Sequence, residues 1–255
     1  MPKVDDRVLE IFRQVRITSP DTVRIGERES NGLQNHLVPW LQCEIYKNFF
    51  SHMRPVSTPA SVPLLARALA AANAGFGTVQ PGWYMAHGQP EPARTKWLRL
   101  YWHVNSHGAL VLMGLATGIL NRLLIPFRLK VLVDTSIDRR DAAVLYLPRS
   151  HWTIARDLVG PVSSQLEDVG ALDPATPLFA KAVRRGVGLA EDPQTGLSFG
   201  MHRSGLVARA LARSYLAGHA EEEQQWSGVT AEFAREGLSI DRPYLNPASR
   251  DVYEF

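Results

Sequence analysis

Positively charged side chains alternate with apolar ones on two predicted strands. Within Phe127–Val133 the apolar side chains face one way, whereas Arg128 and Lys130 face the other. Arg99 and His103 share the polar face of a second strand of this kind. Other cations lie near the ends of predicted strands or loops: Arg139, Arg140, Arg149, His202 and Arg203.

These cations suit the chemistry of a bound phosphate. If the strands share one sheet, the cations converge, and cations without nearby carboxylates repel one another unless an anion compensates them. Arginine binds phosphate well because its planar guanidinium donates two parallel hydrogen bonds. Spacing alone favours two interpretations equally: a phosphate-handling site, or solvated charges on an exposed sheet face.

The sequence lacks the signatures of several other chemistries. It has no phosphate-binding Gly-x-x-x-x-Gly-Lys-Ser/Thr loop, no dinucleotide fingerprint, no kinase catalytic motif and no His or Cys pairs at zinc spacing. Gly196–Gly200 matches the Gly-x-Ser-x-Gly motif of α/β-hydrolases, but no carboxylate and then histidine follow Ser198 in the required order. Cys43 is explained by a buried position on a helix. We therefore expect neither a metal nor a cofactor.

Composition indicates a globular chain, since 45% of the residues are hydrophobic and the net charge is only +3, and its length allows one large domain or two small ones. We expect a single domain over residues 1–255, because the helices before residue 75 are too few to form an independent core. A single cysteine excludes an intrachain disulfide and fits a reducing cytoplasm. No Lys/Arg run long enough to bind nucleic acid is present, and Ala109–Leu120 is too short to cross a bilayer, which takes about 20 residues. The N-terminus lacks the apolar core of a signal peptide. We expect a cytoplasmic protein without nucleic-acid or membrane partners.

Hydrophobic periodicity predicts an α+β fold with a mostly antiparallel central sheet flanked by helices. The N-terminal third, about 1–74, is predicted to be helical, a lid-like or binding loop occupies 75–96, and the α+β part spans 97–255. The predicted strands are Leu98–Asn105, Phe127–Val133, a central Ala142–Leu147 and a short Leu197–His202. The predicted loops are the charged turn Asp138–Asp141 and the segment Gly186–Gly196.

Seven ordered blocks between about residues 35 and 250 resemble the HopA-type effector domain. The blocks are Leu41–Phe50, Arg99–Val104, Pro126–Leu132, Tyr146–Leu147, Gly186–Glu191, Ser198–Arg203 and Arg242–Pro247. The domain is known from bacterial type III effectors. It also occurs as a separate protein in the biosynthesis of class V lanthipeptides and thioviridamide-like peptides, where the resemblance implies a phosphothreonine/phosphoserine lyase.

Elimination of phosphate needs a base for the Cα proton, cations on the leaving phosphate and charge that steadies the enolate. Lys130 is the first candidate base and Lys47 the second, because neighbouring cations and burial lower a lysine pKa. By chemical analogy with a different sequence family of lyases, His202 would protonate the leaving oxygen or donate a hydrogen bond to it. The predicted phosphate-binding residues are Arg128, Arg203, Arg149, Arg139 and Arg99. The predicted pocket residues are Tyr101, Tyr146 and His103.

The absence of a kinase motif predicts that another protein phosphorylates the precursor peptide. The resemblance implies a separate aminoglycoside-phosphotransferase-like kinase, and we expect that it associates with this chain. An alternative from another class is a non-catalytic, effector-like module that only binds a phosphorylated peptide or protein.

Overall fold

The computed structural model describes residues 4–57, 61–89 and 95–255, and side chains from residue 6 onward. Its helices are α1 (Val4–Gln14), α2 (Leu37–Ile45), α3 (Val62–Ala72), α4 (Ser106–Arg122), α5 (Trp152–Asp168), α6 (Phe199–Leu216) and α7 (Glu222–Arg235). Its strands are β1 (Val15–Ser19), β2 (Thr22–Ile25), β3 (Arg28–Ser30), β4 (Arg54–Pro55), β5 (Phe76–Gln80), β6 (Trp83–His87), β7 (Trp97–Trp102), β8 (Arg128–Leu132), β9 (Ile137–Asp138), β10 (Ala143–Pro148), β11 (Lys181–Arg184) and β12 (Val187–Glu191). Short 3₁₀ turns span Gln34–His36 and Arg149–His151, and a π-helix spans Tyr46–Phe50.

The chain divides into two compact units. The first comprises Met1–Ser51 and Pro193–Asp251, and the second comprises His52–Asp192 and Val252–Phe255. The sequence predicted a single domain. That prediction concerns whether the two units fold as one, and it stays a prediction. No helix among the described residues combines the length and apolarity needed to cross a bilayer.

The second unit is built on a seven-stranded antiparallel sheet with the strand order β11-β12-β7-β10-β8-β6-β5. The α+β fold with a mostly antiparallel sheet is therefore confirmed. β10 occupies the middle of the sheet, as its apolar sequence predicted. Tyr146 on β10 is aligned with Arg99 on β7 and with Arg128 on β8, and Val144 is aligned with Tyr101 and Lys130 in the same way.

One face of this sheet belongs to the hydrophobic core. Its residues from the central strands are at most 1% exposed: Leu98, Leu100, Leu129, Val131, Leu145, Leu147 and Leu189. The helices α4 and α5 contact β8 and β10, respectively, and contact each other. Because side chains alternate between faces along a strand, the residues between these leucines and valines must point to the opposite face.

In the first unit, helices pack on one another beside a small sheet. The strands β1, β2 and β3 form an antiparallel sheet in that order, and α2 packs on α6, which packs on α7. Ser198 caps the start of α6, because its Oγ accepts a hydrogen bond from Met201 N at 3.2 Å. The Gly-x-Ser-x-Gly motif therefore begins a helix here.

Several local predictions were wrong for identifiable reasons. The segment predicted as a loop, 75–96, contains the hairpin β5–β6, whose turn is made by Pro81 and Gly82. The segment Leu197–His202 is the capped start of a helix, not a strand. The segment Gly186–Gly196, predicted as a loop, contains β12. Small residues such as glycine and alanine fit this strand, which is buried along its whole length. The helical N-terminal third is confirmed for α1, α2 and α3, but it also includes the unpredicted β1–β3 sheet.

Candidate functional site

The second unit carries a polar sheet face opposite its core face. The alternation places Arg128 and Lys130 on β8, Tyr146 on β10, and Arg99 and Tyr101 on β7 on this shared side. We call these five residues the cationic face. Strand alternation and antiparallel pairing, both of which follow from the sequence, therefore bring together five of the predicted site residues.

Lys130 has the most perturbed environment of the candidate bases. Its Nζ lies 4.1 Å from the ring centroid of Trp83, and Cζ of Arg139 lies 4.9 Å from the same centroid. Burial lowers the pKa of Lys130, the positive charge of Arg139 lowers it further, and Asp141 partly opposes both effects. These surroundings raise the fraction of Lys130 in the neutral, basic form.

Three of the predicted phosphate-binding arginines have carboxylate neighbours. Arg99 Nε donates to Asp192 Oδ2 at 2.7 Å. Arg139 donates to both oxygens of Asp141, at 2.7 Å and 2.8 Å. Arg149 Nη1 lies 2.9 Å from Glu191 Oε1. The acids come from a turn and from the end of β12, so the positive charge of these three arginines is partly compensated within the protein.

Arg139 is buried and does not lie in a solvated turn. Arg139 and Asp141 are only 6% and 4% exposed, so the segment predicted as a charged surface turn is packed into the second unit. Their bidentate pair fixes the guanidinium plane beside Trp83. Arg139 therefore acts as a fixed positive charge near Lys130.

The tyrosines and Arg128 complete the cationic face. Arg99 stacks over the ring of Tyr146 at 5.0 Å, and Arg128 stacks over the ring of Trp97 at 5.3 Å. Burial raises the pKa of Tyr101 and of Tyr146, so both phenols keep their protons near neutral pH and can donate hydrogen bonds. Arg99 and Tyr101 are almost fully buried, whereas a half-buried strand was predicted here.

His103 is held by acids beyond the end of β7. Its Nε2 lies 2.8 Å from Asp138 Oδ1, and its Nδ1 lies 3.1 Å from Asp173 Oδ1. Arg54 Nη2 donates to the other oxygen of Asp138 at 2.8 Å. His103 is therefore buried between the carboxylates of Asp138 and Asp173, and its predicted place in a substrate pocket stays a prediction.

A cavity of about 160 Å³ lies in the second unit near the start of α4. Its polar lining includes Asn105, Ser106, Thr135 and Arg139, together with the carboxylates Asp134 and Asp138. The lining therefore mixes both signs of charge. Across the described part of the chain, no group of three or more His, Cys, Asp or Glu side chains is placed to hold a metal ion.

The remaining predicted residues belong to the first unit. Arg203 is 1% exposed, donates to the carbonyls of Pro243 and Leu245 at 2.8 Å and 3.0 Å, and stacks over Phe199. Lys47 lies on the π-helix, is about half exposed, and has its Nζ 3.3 Å from Glu44 Oε1. Their predicted roles in binding phosphate and removing a proton stay predictions.

His202 has a defined tautomer. Arg203 Nη1 lies 2.7 Å from its Nδ1, and since a guanidinium can only donate, Nδ1 accepts and the proton of the neutral ring lies on Nε2. Burial and the charge of Arg203 lower the pKa of His202 to about 4. At neutral pH His202 can therefore donate a hydrogen bond, but it holds no imidazolium proton to transfer.

Sequence reasoning missed the groups that shape the cationic face. Trp83 lay in the segment predicted as a loop, and Asp141 lay in the turn predicted to be solvated. Glu191 is the last residue of the unpredicted β12 and Asp192 follows it, and Tyr253 Oη donates to Glu191 at 2.7 Å. The signal available for Trp83 was its aromatic neighbour Tyr84 beside a Pro-Gly turn, which is a hairpin pattern.

Comparison with known proteins places the chain in a family. The sequence profile of the HopA1 effector protein family matches residues 77–245, which is more than half of the chain. The chain belongs to the HopA1 effector protein family. The matched range contains the whole cationic face and the pair His202–Arg203, but not Lys47.

Two solved effector structures share the fold of this HopA1 family member. The effector protein from Pseudomonas syringae pv. tomato strain DC3000 superposes with a TM-score of 0.60 and 17% identity, covering 84% of this chain and 96% of that one. The effector protein from Pseudomonas syringae pv. syringae strain 61 gives a TM-score of 0.56 and 17% identity, covering 81% and 90%. No curated protein sequence is significantly similar to this chain.

Proposed function

We propose that this HopA1 family member is a carbon–oxygen lyase that eliminates phosphate from phosphoserine or phosphothreonine in a precursor peptide. The products are dehydroalanine or dehydrobutyrine and inorganic phosphate, formed in the cytoplasm during the biosynthesis of a ribosomal peptide natural product such as a lanthipeptide or thioamitide. The observation that carries the proposal is the lowered pKa of Lys130 on a cationic sheet face.

The reaction needs a base and positive charge but no redox chemistry. The neutral Nζ of Lys130 takes the Cα proton, the electron pair of the broken Cα–H bond forms the Cα=Cβ bond, and the Cβ–O bond breaks with its electrons leaving on phosphate. Arg128, Arg99 and Arg139 supply fixed positive charge where negative charge develops. Arg149, Tyr101 and Tyr146 would complete the phosphate and pocket contacts.

The phosphorylated substrate has to come from a separate kinase. We propose that an aminoglycoside-phosphotransferase-like kinase supplies it and that direct association limits loss of the phosphorylated intermediate. Co-expression of the two proteins tests the association: a shared peak in size-exclusion chromatography supports it, and separate migration at micromolar concentrations contradicts a stable complex.

Turnover of a synthetic phosphothreonine peptide tests the lyase directly. We expect mass spectrometry to detect the dehydrobutyrine peptide, and we expect Lys130→Ala to slow its formation by at least about 100-fold, because a positioned base contributes roughly 10²–10⁴-fold. Lys96→Ala is the matched control, since Lys96 is exposed and its loss should leave the rate unchanged.

A second candidate function is binding of a phosphorylated peptide or protein without catalysis. The observation in its favour is that Arg99, Arg139 and Arg149 already have acidic neighbours, so their charge is partly compensated. The same assay separates the two functions. A peptide that is bound and returned unchanged supports the binding module, and unaltered turnover by Lys130→Ala contradicts the assignment of Lys130 as base.

A further inference from the structure

The small sheet of the first unit has an edge strand with free backbone groups. Among the described residues β1 pairs only with β2, and Gly26 N donates to Gln14 O at 2.9 Å. Hydrogen-bonded and non-bonded pairs alternate in an antiparallel ladder, so Arg16, two residues after Gln14, also turns its backbone toward β2. The carbonyls of Val15 and Ile17 and the N–H of Ile17 therefore point away from β2.

A groove of about 470 Å³ follows this edge. Its lining includes the four consecutive residues Val15–Thr18, together with Leu211, Tyr215 and His219 from the end of α6 and the following loop. Because neighbouring residues of a strand point to opposite faces, a groove lined by consecutive residues lies along the strand edge. Its volume falls in the range of protein binding sites.

Charges across the sheet indicate what this edge would accept. Arg16 is directly opposite Arg24, which is directly opposite Glu29 on β3, and all three are exposed. Like charges that face each other across strands are destabilising. An acidic residue on the open side of Arg16 would compensate it as Glu29 compensates Arg24. On the other face of β1, Val15 is buried and Ile17 half-buried, which suits apolar neighbours.

We propose that β1 binds an extended peptide as an additional strand, with acidic residues beside Arg16 alternating with apolar residues beside Val15 and Ile17. Main-chain hydrogen bonds supply affinity in this mode of binding, and the alternating side chains supply specificity. The proposal extends the proposed function and rests on it for the identity of the partner: the strand is a segment of the peptide substrate outside its phosphorylated residue.

Fluorescence anisotropy with the full-length protein and unphosphorylated peptides tests this proposal. We expect a labelled peptide of alternating Glu and Val to bind at least about tenfold more tightly, or about 1.4 kcal/mol, than a peptide with the same residues grouped in two blocks. Arg16→Glu should reverse the charge preference, weakening the Glu/Val peptide about tenfold and strengthening an alternating Lys/Val peptide. This variant also places a negative charge across from Arg24, and opposite charges on paired strands favour folding.

Ile17→Pro tests the main-chain contact separately. Proline removes the outward N–H and leaves the bonds to β2 intact, and it is tolerated at a sheet edge in this orientation. Ile17→Ala removes the same half-buried side chain but keeps the N–H, so we expect Ile17→Pro to bind the Glu/Val peptide more weakly than Ile17→Ala, with a similar thermal unfolding midpoint. If Ile17→Pro does not fold, Arg16→Glu decides the outcome alone.

The proposal is overturned if the alternating and blocked peptides bind equally, or if Arg16→Glu leaves affinity for both peptide charges unchanged. The test peptides contain no phosphate, so its outcome does not depend on elimination. A protein that eliminates phosphate without discriminating between the peptides loses only the edge-strand proposal. A protein that discriminates but does not eliminate loses the lyase and the identity of the partner, but keeps β1 as a peptide-binding edge.

Discussion

Burial lowers the pKa of both Lys130 and His202, with opposite consequences for proton transfer. A lysine with a lowered pKa becomes a better base near neutral pH, because more of it is deprotonated. A histidine whose pKa is already near 4 becomes a poor acid, because almost none of it is protonated. The role of His202 in the reaction stays a prediction, and at neutral pH its lowered pKa favours the second predicted role, donation of a hydrogen bond through Nε2.

The pKa of His202 predicts a loss of stability in mild acid. Between its ordinary pKa of 6.5 and the folded value of about 4, the unfolded chain binds a proton that the folded chain does not. The free energy of unfolding therefore falls as pH falls through this range, by about 1 kcal/mol at about pH 5 for this group, because solvent screens a side chain that is only partly buried. Urea unfolding at about pH 7 and about pH 5 measures the change.

His202→Gln isolates this contribution, because glutamine can accept from Arg203 without titrating. We expect the variant to lose about 1 kcal/mol less than the unmodified protein between the two pH values. His219→Gln controls for the loss of a histidine at an exposed position. Equal pH dependence of His202→Gln and the unmodified protein would show that His202 titrates normally.

At the scale of the elements, a close approach joins α6 to the π-helix. A Cβ atom added to Gly200 would lie 2.5 Å from Phe50 Cδ1 and 2.7 Å from Tyr46 Cε2. Neither stacked ring can move freely, because Phe50 is 1% exposed and lies 5.4 Å from the ring of Tyr46. We expect Gly200→Ala to lower the free energy of unfolding by about 1–3 kcal/mol, measured by urea denaturation.

Gly118→Ala provides the matched control for Gly200→Ala. Gly118 lies within α4, and an added Cβ would meet nothing within 4 Å. Because alanine favours a helix over glycine, this variant should gain about 1 kcal/mol. If both variants gain stability, α6 and the π-helix can move apart without a loss of free energy of unfolding. The close approach at Gly200 would then not contribute to stability.

Periodicity predicted the elements whose side chains face a core. Phe127–Val133 was predicted from alternation and is found as β8, and the apolar segment Ala142–Leu147 is found as the central β10. Elements whose local signal was a turn or cap were missed. Ser198 was predicted to lie in a strand, but its hydroxyl caps α6. Gly82 was predicted to lie in a loop, but it forms the turn between the paired strands β5 and β6.

The same limit applies to the candidate site. Alternation was enough to place Arg128 and Lys130 on one side of β8, and pairing with β10 extends that side to Tyr146 and Arg99. The acids were not predictable in this way. Asp192 lies 93 residues from Arg99, and only the path of the folded chain brings the two together.

The charge of the whole molecule predicts how salt affects the proposed reaction. The chain has a net charge of +3, and a phosphorylated side chain carries about −1.5 to −2 charges near neutral pH. Raising the ionic strength from about 0.1 M to 1 M shortens the screening length from about 10 Å to 3 Å. We expect KM for a phosphothreonine peptide to rise severalfold, because long-range attraction between protein and peptide weakens.

The turnover number should respond differently. Screening acts strongly on exposed charges and weakly on buried ones, and the bidentate pair Arg139–Asp141 beside Lys130 is buried. We therefore expect kcat to change by less than about twofold over the same range of salt, with circular dichroism confirming that the protein stays folded. A kcat that falls with salt while KM stays constant would show that ions reach the charges around Lys130. The base would then be solvated, and the pKa of Lys130 would be set mainly by solvent.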